Sequence, residues 1–247
     1  MVDDLSSEAL AATMPADPPR PVRAYPALLS TEAAALAWAR AGAPAGAVIV
    51  ADYQASARGR GGWPWQVRAG VGLGFSLVLR PRLAAVRDGW LYVVALCALA
   101  DVVGADARLE WPDEVRVRGA RAAAVGIQAD LVAPEAPWAV VSVLIDDAKP
   151  PRGPLLARAV AAIEERAHTA SSPLLRSYLE RCDTLGRAVR ARLLPLGPAG
   201  PEVSGTAVTV LRDGALVIAA ADGRRVAVPP ASLALLEDVA APAAPPR

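Results

Sequence analysis

The chain has 247 residues, 54% of them apolar and 21% charged, which is enough for one domain of moderate size and a second small one. Its formal net charge of +1 lacks the basic excess of nucleic-acid-binding proteins, so we expect no nucleic-acid partner. The longest apolar run, residues 90–100, is too short to cross a bilayer, and the N-terminus has no signal-peptide pattern. We therefore expect a cytoplasmic protein that does not bind membranes.

The N-terminal part of the sequence predicts a tail, a helix and two strands. Residues 1–21 are rich in Pro, Ala and acidic residues, which predicts a disordered tail. Ser30 or Thr31 offers a side-chain oxygen to the free N–H groups of a helix over residues 32–41. Two apolar strands follow, at residues 47–53 and 73–79.

Residues 57–65 connect these two strands and form a segment that we term the Gly-Arg loop. Arg58 and Arg60 alternate there with Gly59, Gly61 and Gly62. Exposed backbone N–H groups beside two fixed positive charges suit an anion such as a phosphate or a carboxylate. The alternative is a solvated turn in which both arginines face water.

The middle of the chain alternates short strands and helices. The expected elements are a long apolar helix at 83–103, strands at 108–111, 115–117, 122–128 and 138–145, a helix around residues 155–163 and a second helix at 173–181. The continuous apolar run at 138–145 predicts a central strand covered on both faces. Cys97 and Cys182 lie in apolar helical contexts without metal-ligand spacing, so we expect them to be reduced and expect no metal site.

From residue 185 to residue 236 the pattern changes to short alternating strands separated by turn signals. Asp213-Gly214 and Asp222-Gly223 are typical of tight hairpins. A run of such strands after a helical region predicts a small barrel-like second domain.

Several short motifs occur along the chain in a recognisable order. They are Ser30-Thr31, Gln54, Arg58-Gly59-Arg60 with Gly62 and Trp65, Trp111-Pro112, Leu185-Gly186-Arg187 and the Asp213-Gly214 turn. This order resembles the biotin protein ligase family over most of the chain. Members of that family activate the carboxylate of biotin with ATP and pass the acyl group to a lysine of a carrier protein.

The resemblance implies an α+β fold in which a mixed sheet flanked by helices, of the class II synthetase-like or biotin ligase catalytic type, precedes a small SH3-like β-barrel. We expect disordered tails at 1–21 and 238–247, a catalytic domain at 22–182 and an SH3-like domain at 183–237. The implied substrates are ATP and biotin or a related acid, with Mg²⁺ arriving on the nucleotide. The implied partner is a biotin carboxyl carrier protein, such as the acetyl-CoA carboxylase carrier subunit, or a similar carrier domain.

The resemblance also implies roles for individual residues, because cationic groups aimed at the reacting anions are the main catalytic resource of such a reaction. The implied catalytic residues are Arg60, Arg121 and Glu114, with Arg121 in place of the family's lysine and Glu114 orienting the incoming amine. The implied substrate-binding residues are Ser30, Thr31, Gln54, Arg58 and Gly59. The implied nucleotide-binding residues are Arg60, Gly62, Trp65 and Asp146.

The sequence departs from the family pattern at positions of this same site. The departures are Glu32 for an asparagine, Ala57 for a glycine, Trp63 for an arginine, Glu110 for a lysine, Asp113-Glu114 for Asn-Asp, and Ser142, Leu144 and Asp146 for glycines and an asparagine. The added acidic residues bring negative potential to a site that must hold an anionic intermediate.

Two interpretations therefore stand. One is an active ligase, and the other is a catalytically reduced or inactive paralogue that binds a ligand, a carboxylase or a carrier protein. Each motif also has a purely structural explanation, since Ser30 and Thr31 can cap a helix and Trp65 and Trp111 can pack. Edge strands would allow a homodimer. Because few residues precede Ser30, we expect no N-terminal DNA-binding domain.

Overall fold

A computed structural model describes residues 4–14, 20–81, 83–84, 87–130, 137–197 and 199–239. The helices in this part of the chain are α1 (Ser7–Ala11), α2 (Thr31–Arg40), α3 (Trp90–Val103), α4 (Gly153–His168) and α5 (Ser171–Arg181). The strands are β1 (Val22–Leu28), β2 (Val48–Gln54), β3 (Leu73–Leu79), β4 (Ala107–Glu110), β5 (Glu114–Val117), β6 (Ala120–Ala129), β7 (Ala139–Ile145), β8 (Ala188–Leu193), β9 (Glu202–Val210), β10 (Leu216–Ala219), β11 (Arg225–Val228) and β12 (Leu233–Asp238).

The first seven strands form one mixed sheet in the order β1-β2-β3-β7-β6-β5-β4. β1 and β2 are parallel, and the other neighbours are antiparallel. All seven residues of β7 are buried, and this strand lies in the middle of the sheet. The predicted central strand and the predicted α+β class are confirmed.

Helices cover both faces of this sheet. α3 packs against β6, α4 and α5 on one face, and its residues from Trp90 to Ala100 are all buried, as expected of a helix that is apolar on every side. α2 packs on the other face against β2, β3 and β7. Because α2 is short, it covers only part of that face. The Gly-Arg loop covers the next part.

The last five strands form an antiparallel sheet in the order β11-β10-β9-β8-β12, which we call the C-terminal sheet. Both predicted hairpin turns are present, and Asp213 and Asp222 each accept a hydrogen bond from the backbone N–H two residues later. Among the described residues no pairing joins β11 to β12, so the sheet does not close into a complete barrel. The predicted domain boundaries at residues 182 and 183 stay a prediction.

The structure corrects the predicted N-terminal tail. Residues 4–14 form α1 and its flanks, and Leu5, Leu10 and Met14 are buried in the main core. The segment is polar on average, but its three apolar side chains are spaced so that a short helix can pack them into the core. Residues 1–3, 15–19 and 240–247 of the two predicted tails lie outside the described residues.

An ion-pair cluster holds this N-terminal segment in place. Arg152, which is almost completely buried, donates to Asp4 Oδ1 at 2.6 Å and to Asp52 Oδ1 at 2.6 Å. A buried guanidinium requires such partners, because removing them would leave an uncompensated charge.

Two smaller corrections concern β1, which was not predicted, and α3, which begins at Trp90 rather than at residue 83. None of the helices in the described part of the chain is long and apolar enough to span a membrane.

Candidate active site

Most of the predicted site residues lie on or around the sheet face that α2 and the Gly-Arg loop cover. Ser76 of β3 pairs with Ser142 of β7, and Ser142 pairs with Gly126 of β6, so these residues form one row across the sheet. Gly74, Leu144 and Ala124 form the next row on the same face. The site is therefore built on three adjacent central strands.

A chain of buried polar side chains links α2 to this row. Thr31 donates from its backbone N–H and from its Oγ1 to Gln54 Oε1, at 2.8 and 3.1 Å. Ser76 Oγ donates to Thr31 Oγ1 at 3.0 Å and lies 3.0 Å from Ser142 Oγ. Thr31, Gln54, Ser76 and Ser142 are all buried. Their polar atoms satisfy one another at the N-terminus of α2, where Ser30 Oγ accepts from Ala33 N as the helix cap.

The Gly-Arg loop lies directly on β6. A Cβ atom added to Gly126 would come within 3.0 Å of the carbonyl carbon of Gly59 and within 3.2 Å of the backbone nitrogen of Arg60. The loop reaches this position because the Trp65 ring folds back over Gly59, whose own Cβ would collide with it. The backbone of the loop is therefore in van der Waals contact with the sheet at the centre of the site.

A small apolar cluster fills the rest of the space under the loop. Leu144 is fully buried and packs with Ala57 and Val67, and Trp65 packs against this group. Ala57 and Trp65 belong to the loop, whereas Leu144 points up from β7. Leucine occupies a position where the family pattern has a small residue, so the side chain takes up volume above the sheet.

Arg60 leaves the loop and enters the contact between the two sheets. Its Nη1 donates to the backbone carbonyl oxygen of Leu233, in β12, at 2.5 Å. Its Nε lies 3.2 Å from Asp113 Oδ2, an ion pair in which Nε makes no hydrogen bond among the described residues. Burial raises the pKa of Asp113 to about 6, and the Arg60 charge opposes that shift.

Arg121, Asp146 and Glu114 lie together where β5 and β6 begin and β7 ends. Arg121 donates from Nε and Nη2 to the two Asp146 oxygens, at 2.8 and 3.1 Å, and its Nη1 is 3.9 Å from Glu114. The hydrogen bond to Asp146 raises the pKa of Arg121 further above its usual value. Arg68 donates to the Asp146 carbonyl oxygen at 2.7 Å and ties the exit of the loop to the same corner.

Arg58 and Glu32 face each other at the exposed edge of the loop. Arg58 is exposed and donates to the Gly62 carbonyl oxygen at 3.0 Å. Burial raises the pKa of Glu32 to about 7, and the Arg58 charge lowers it in part. Glu32 Oε2 has no hydrogen-bond partner among the described residues. Glu32 therefore supplies a free acceptor, or a donor when protonated, next to the polar chain of Thr31 and Gln54.

The structure brings the predicted residues together in two groups. Thr31 and Gln54 form one group, with Arg58 nearby beside Glu32 and Gly59 resting on Gly126, and Arg121, Asp146 and Glu114 form the other. Arg60 fits neither of the two interpretations of the loop, because it is buried between the two sheets, where it is paired with Asp113 and the Leu233 carbonyl at the wall of a groove of about 410 Å³. The roles assigned to these residues stay predictions.

The sequence analysis did not identify Ser76 as a site residue, and it included Ser142 only as a departure from the family pattern. Both had a visible signal, because each is the only polar residue of an otherwise apolar strand. The Leu233 carbonyl had no signal, because any residue can supply a backbone oxygen. Among the described residues no group of three His, Cys, Asp or Glu side chains is arranged to hold a metal ion.

Comparison with solved structures places this geometry in a known fold. The biotin protein ligase from Aquifex aeolicus in complex with biotin and ATP superposes with a TM-score of 0.68, over 89% of this chain and 99% of that one, at 19% identity. The chain has the biotin protein ligase fold. A biotin protein ligase-like protein of unknown function from Silicibacter sp. gives a TM-score of 0.64, over 85% of this chain and 94% of that one, at 16% identity. The biotin acetyl coenzyme A carboxylase synthetase from Helicobacter pylori, with bound biotinylated ATP, gives 0.58, over 83% and 98%, at 18% identity.

Sequence comparison points to the same group of proteins. The chain is 30% identical over 112 residues to the bifunctional ligase/repressor BirA of Bacillus subtilis, a match over 44% of this chain and 34% of that relative. The match thus spans about a third of the relative's length. No family model matches the chain. The predicted resemblance to biotin protein ligases is confirmed by the fold and by this match.

The raised pKa of Glu32 gives a testable pH dependence. Because its pKa in the folded protein is about 7 and its ordinary value is 4.5, the folded state favours protonated Glu32, and this contribution to stability is lost as the pH rises from about 4.5 to about 7. We expect Glu32→Gln to gain stability relative to the unmodified protein across that interval, and the difference to be constant above it. Urea unfolding at a series of pH values measures this.

Arg58→Gln provides the control for the Glu32 experiment. Removing the cation that lowers the pKa of Glu32 moves the transition to higher pH. A stability difference between the Glu32→Gln variant and the unmodified protein that does not change between pH 4 and pH 8 would contradict the buried environment of this carboxyl.

Proposed function

We propose that the protein is a biotin protein ligase-like enzyme that adenylates biotin or a related carboxylic acid with ATP and transfers the acyl group to a lysine of a carrier protein. One observation carries the proposal. The Thr31–Gln54 polar chain and the Arg121 guanidinium, with its carboxylate partners, lie at two sides of one loop-covered sheet face on the biotin protein ligase fold. A site with a buried polar chain at one end and a guanidinium group at the other suits an acid whose carboxylate attacks a phosphate.

The polar chain would bind the head group of the acid. Gln54 and Thr31 present an amide and a hydroxyl beside the N-terminus of α2, and Ser30 caps the same turn. Exchanging some of their mutual hydrogen bonds for bonds to a ligand would keep the buried groups satisfied. Arg58, which is exposed beside Glu32, and the backbone of Gly59 would close over the bound acid.

The cationic residues would bind the reacting anions. When ATP is bound, Arg60 and Arg121 would offset the repulsion between the incoming carboxylate and the α-phosphate. Gly62 and Trp65 would shape the nucleotide side of the loop, and Asp146 would hold Arg121 in place. Mg²⁺ would enter with the nucleotide, since Mg²⁺ binds mainly substrate phosphates and water. Glu114, beside Arg121, would orient the incoming lysine amine of the carrier.

The second candidate function is a paralogue with reduced catalysis that binds an acid or a carrier domain. Charge pairing favours it, because Arg60 is paired with Asp113 and Arg121 with Asp146 and Glu114. An arginine that is already neutralised stabilises an incoming phosphate less than a free one. Each pair must therefore rearrange before the site can work as a ligase.

The proposed partners are a biotin carboxyl carrier protein or a similar carrier domain, and a second copy of the chain is an additional candidate. β1 and β4 are the two edge strands of the larger sheet, and an unpaired edge can add a strand from another chain. We propose a cytoplasmic location on the basis of the proposed reaction.

Leu144 restricts which acids fit, and its truncation tests this. Leu144→Ala removes side-chain volume from the cluster with Ala57 and Val67, so we expect the affinity for biotin to rise by about tenfold or more. The same change should lower the free energy of unfolding by about 2–4 kcal/mol. Calorimetric titration with biotin, with and without ATP, measures the affinity.

Val143→Ala is the matched control for Leu144, because Val143 is also buried in β7 but lies on the opposite face of the sheet. It should lose stability without gaining affinity. Unchanged biotin affinity in the Leu144→Ala variant would show that this leucine does not limit the size of the acid.

The proposed reaction itself is tested by incubating the protein with biotin, Mg²⁺ and ATP and then adding a carrier domain. We expect acid-dependent release of pyrophosphate followed by labelling of the carrier lysine. Arg121→Ala should lower the rate by about a hundredfold, which is typical for loss of one charge-stabilising group. Arg192→Gln, on the distant strand β8, should leave the rate unchanged.

The outcome of this assay separates the two candidate functions. Binding of acid and ATP without pyrophosphate release would contradict the ligase and support the reduced paralogue. If biotin does not bind, the same assay is repeated with lipoate and other carboxylic acids.

A further inference from the structure

Arg60 is the only described residue of the Gly-Arg loop whose side chain hydrogen-bonds to the C-terminal sheet. Its guanidinium is about nine-tenths buried and reaches the carbonyl oxygen of Leu233, 173 residues further along the chain. Asp113, from the connection between β4 and β5, flanks the same guanidinium. One side chain therefore joins the loop, the β4–β5 hairpin and the C-terminal sheet.

The C-terminal sheet, which carries the Leu233 carbonyl, also makes contacts with the larger sheet that do not involve Arg60. Trp111 Nε1 donates to the Gly214 carbonyl oxygen at 2.9 Å, and Trp111 N donates to Thr184 Oγ1 at 2.8 Å. Arg187 binds Glu110 at 2.5 Å and also pairs with Asp238 of β12. The C-terminal sheet is thus attached to the β4–β5 hairpin independently of Arg60.

The bond to Leu233 has consequences for the whole loop. Arg60 follows Gly59, whose backbone rests on Gly126, so the loop cannot rise from β6 unless the Arg60 side chain is released or stretched. The loss of buried hydrogen-bond partners costs more free energy for a charged donor than for a neutral one. The closed loop is therefore more stable while Arg60 keeps both of its partners.

We propose that Asp113 and the carbonyl of Leu233 are positioning groups that hold Arg60, and through it hold the Gly-Arg loop closed on β6. The C-terminal sheet thereby controls access to the site. In the proposed reaction, Arg60 would have to exchange these partners for the nucleotide. The inference concerns the ligand-free protein and holds whether or not the proposed chemistry is correct.

Limited proteolysis of the ligand-free protein tests this inference. Trypsin cleaves after Arg58, an exposed residue of the loop, only when the loop leaves the sheet far enough to enter the protease. Arg60→Gln removes the charge and shortens the side chain, so we expect cleavage between Arg58 and Gly59 to be about tenfold faster. Arg60→Lys keeps the charge, and we expect an intermediate rate. Mass spectrometry of early digestion products follows this one bond.

Two comparisons make the result specific to the loop. Cleavage after Arg224, in the exposed turn between β10 and β11, is the internal reference and should not change in any variant. Arg116→Gln is the matched control, because Arg116 lines the same groove of about 410 Å³ between the sheets but bonds to Glu114 and Gly119 and not to the loop. Its loop should be cleaved at the rate of the unmodified protein.

Asp113→Asn gives a second, independent variant. It keeps the shape of the side chain and removes the charge that faces Arg60, so we expect cleavage after Arg58 to be about threefold faster. The inference is overturned if Arg60→Gln and Asp113→Asn are both cleaved at the unmodified rate, or if Arg116→Gln accelerates cleavage as strongly as they do. Thermal unfolding of each variant shows whether the compared proteins are folded. If Arg60→Gln does not fold, the cleavage rate of Asp113→Asn alone decides whether the inference stands.

Discussion

The contact between Gly59 and Gly126 is the constraint on which the rest of the site depends. Neither residue has a side chain, so the backbone of the Gly-Arg loop lies against the backbone of β6. This contact fixes where Arg60 leaves the loop and where Trp65 turns back over it. It also defines the volume left for a ligand, which Leu144 reduces further. In this conformation the loop itself occupies the space above the central strands.

The pairing of charges in the site also belongs to this closed arrangement. Arg60 and Arg121 would be the strongest resources for holding phosphate, and each is paired with carboxylates while the loop is closed. In the proposed reaction both pairs would have to rearrange, and under the inference above the Arg60–Asp113 pair would also bias the loop toward its closed form. Glu32 adds a titratable group near neutral pH at the opposite end.

Local patterns predicted much of the fold. The apolar strands, α2 with its cap at Ser30, and the turns at Asp213 and Asp222 all depend on residues that are close in sequence. The family resemblance also implied that Thr31 and Gln54 belong to one substrate-binding site. Contacts that depend on distant parts of the chain could not be predicted, because a backbone carbonyl such as that of Leu233 carries no sequence signal. The docking of α1 was missed because overall composition concealed its apolar spacing.

A crystal structure with a non-hydrolysable ATP analogue and a bound acid would show whether the loop must leave β6, and Arg60 must change partners, before a nucleotide binds. We expect the Gly59 backbone to move away from Gly126 and the Arg60 guanidinium to leave the Leu233 carbonyl for a phosphate oxygen. A nucleotide bound in the site with the Arg60–Leu233 hydrogen bond and the Gly59–Gly126 contact both intact would contradict this expectation.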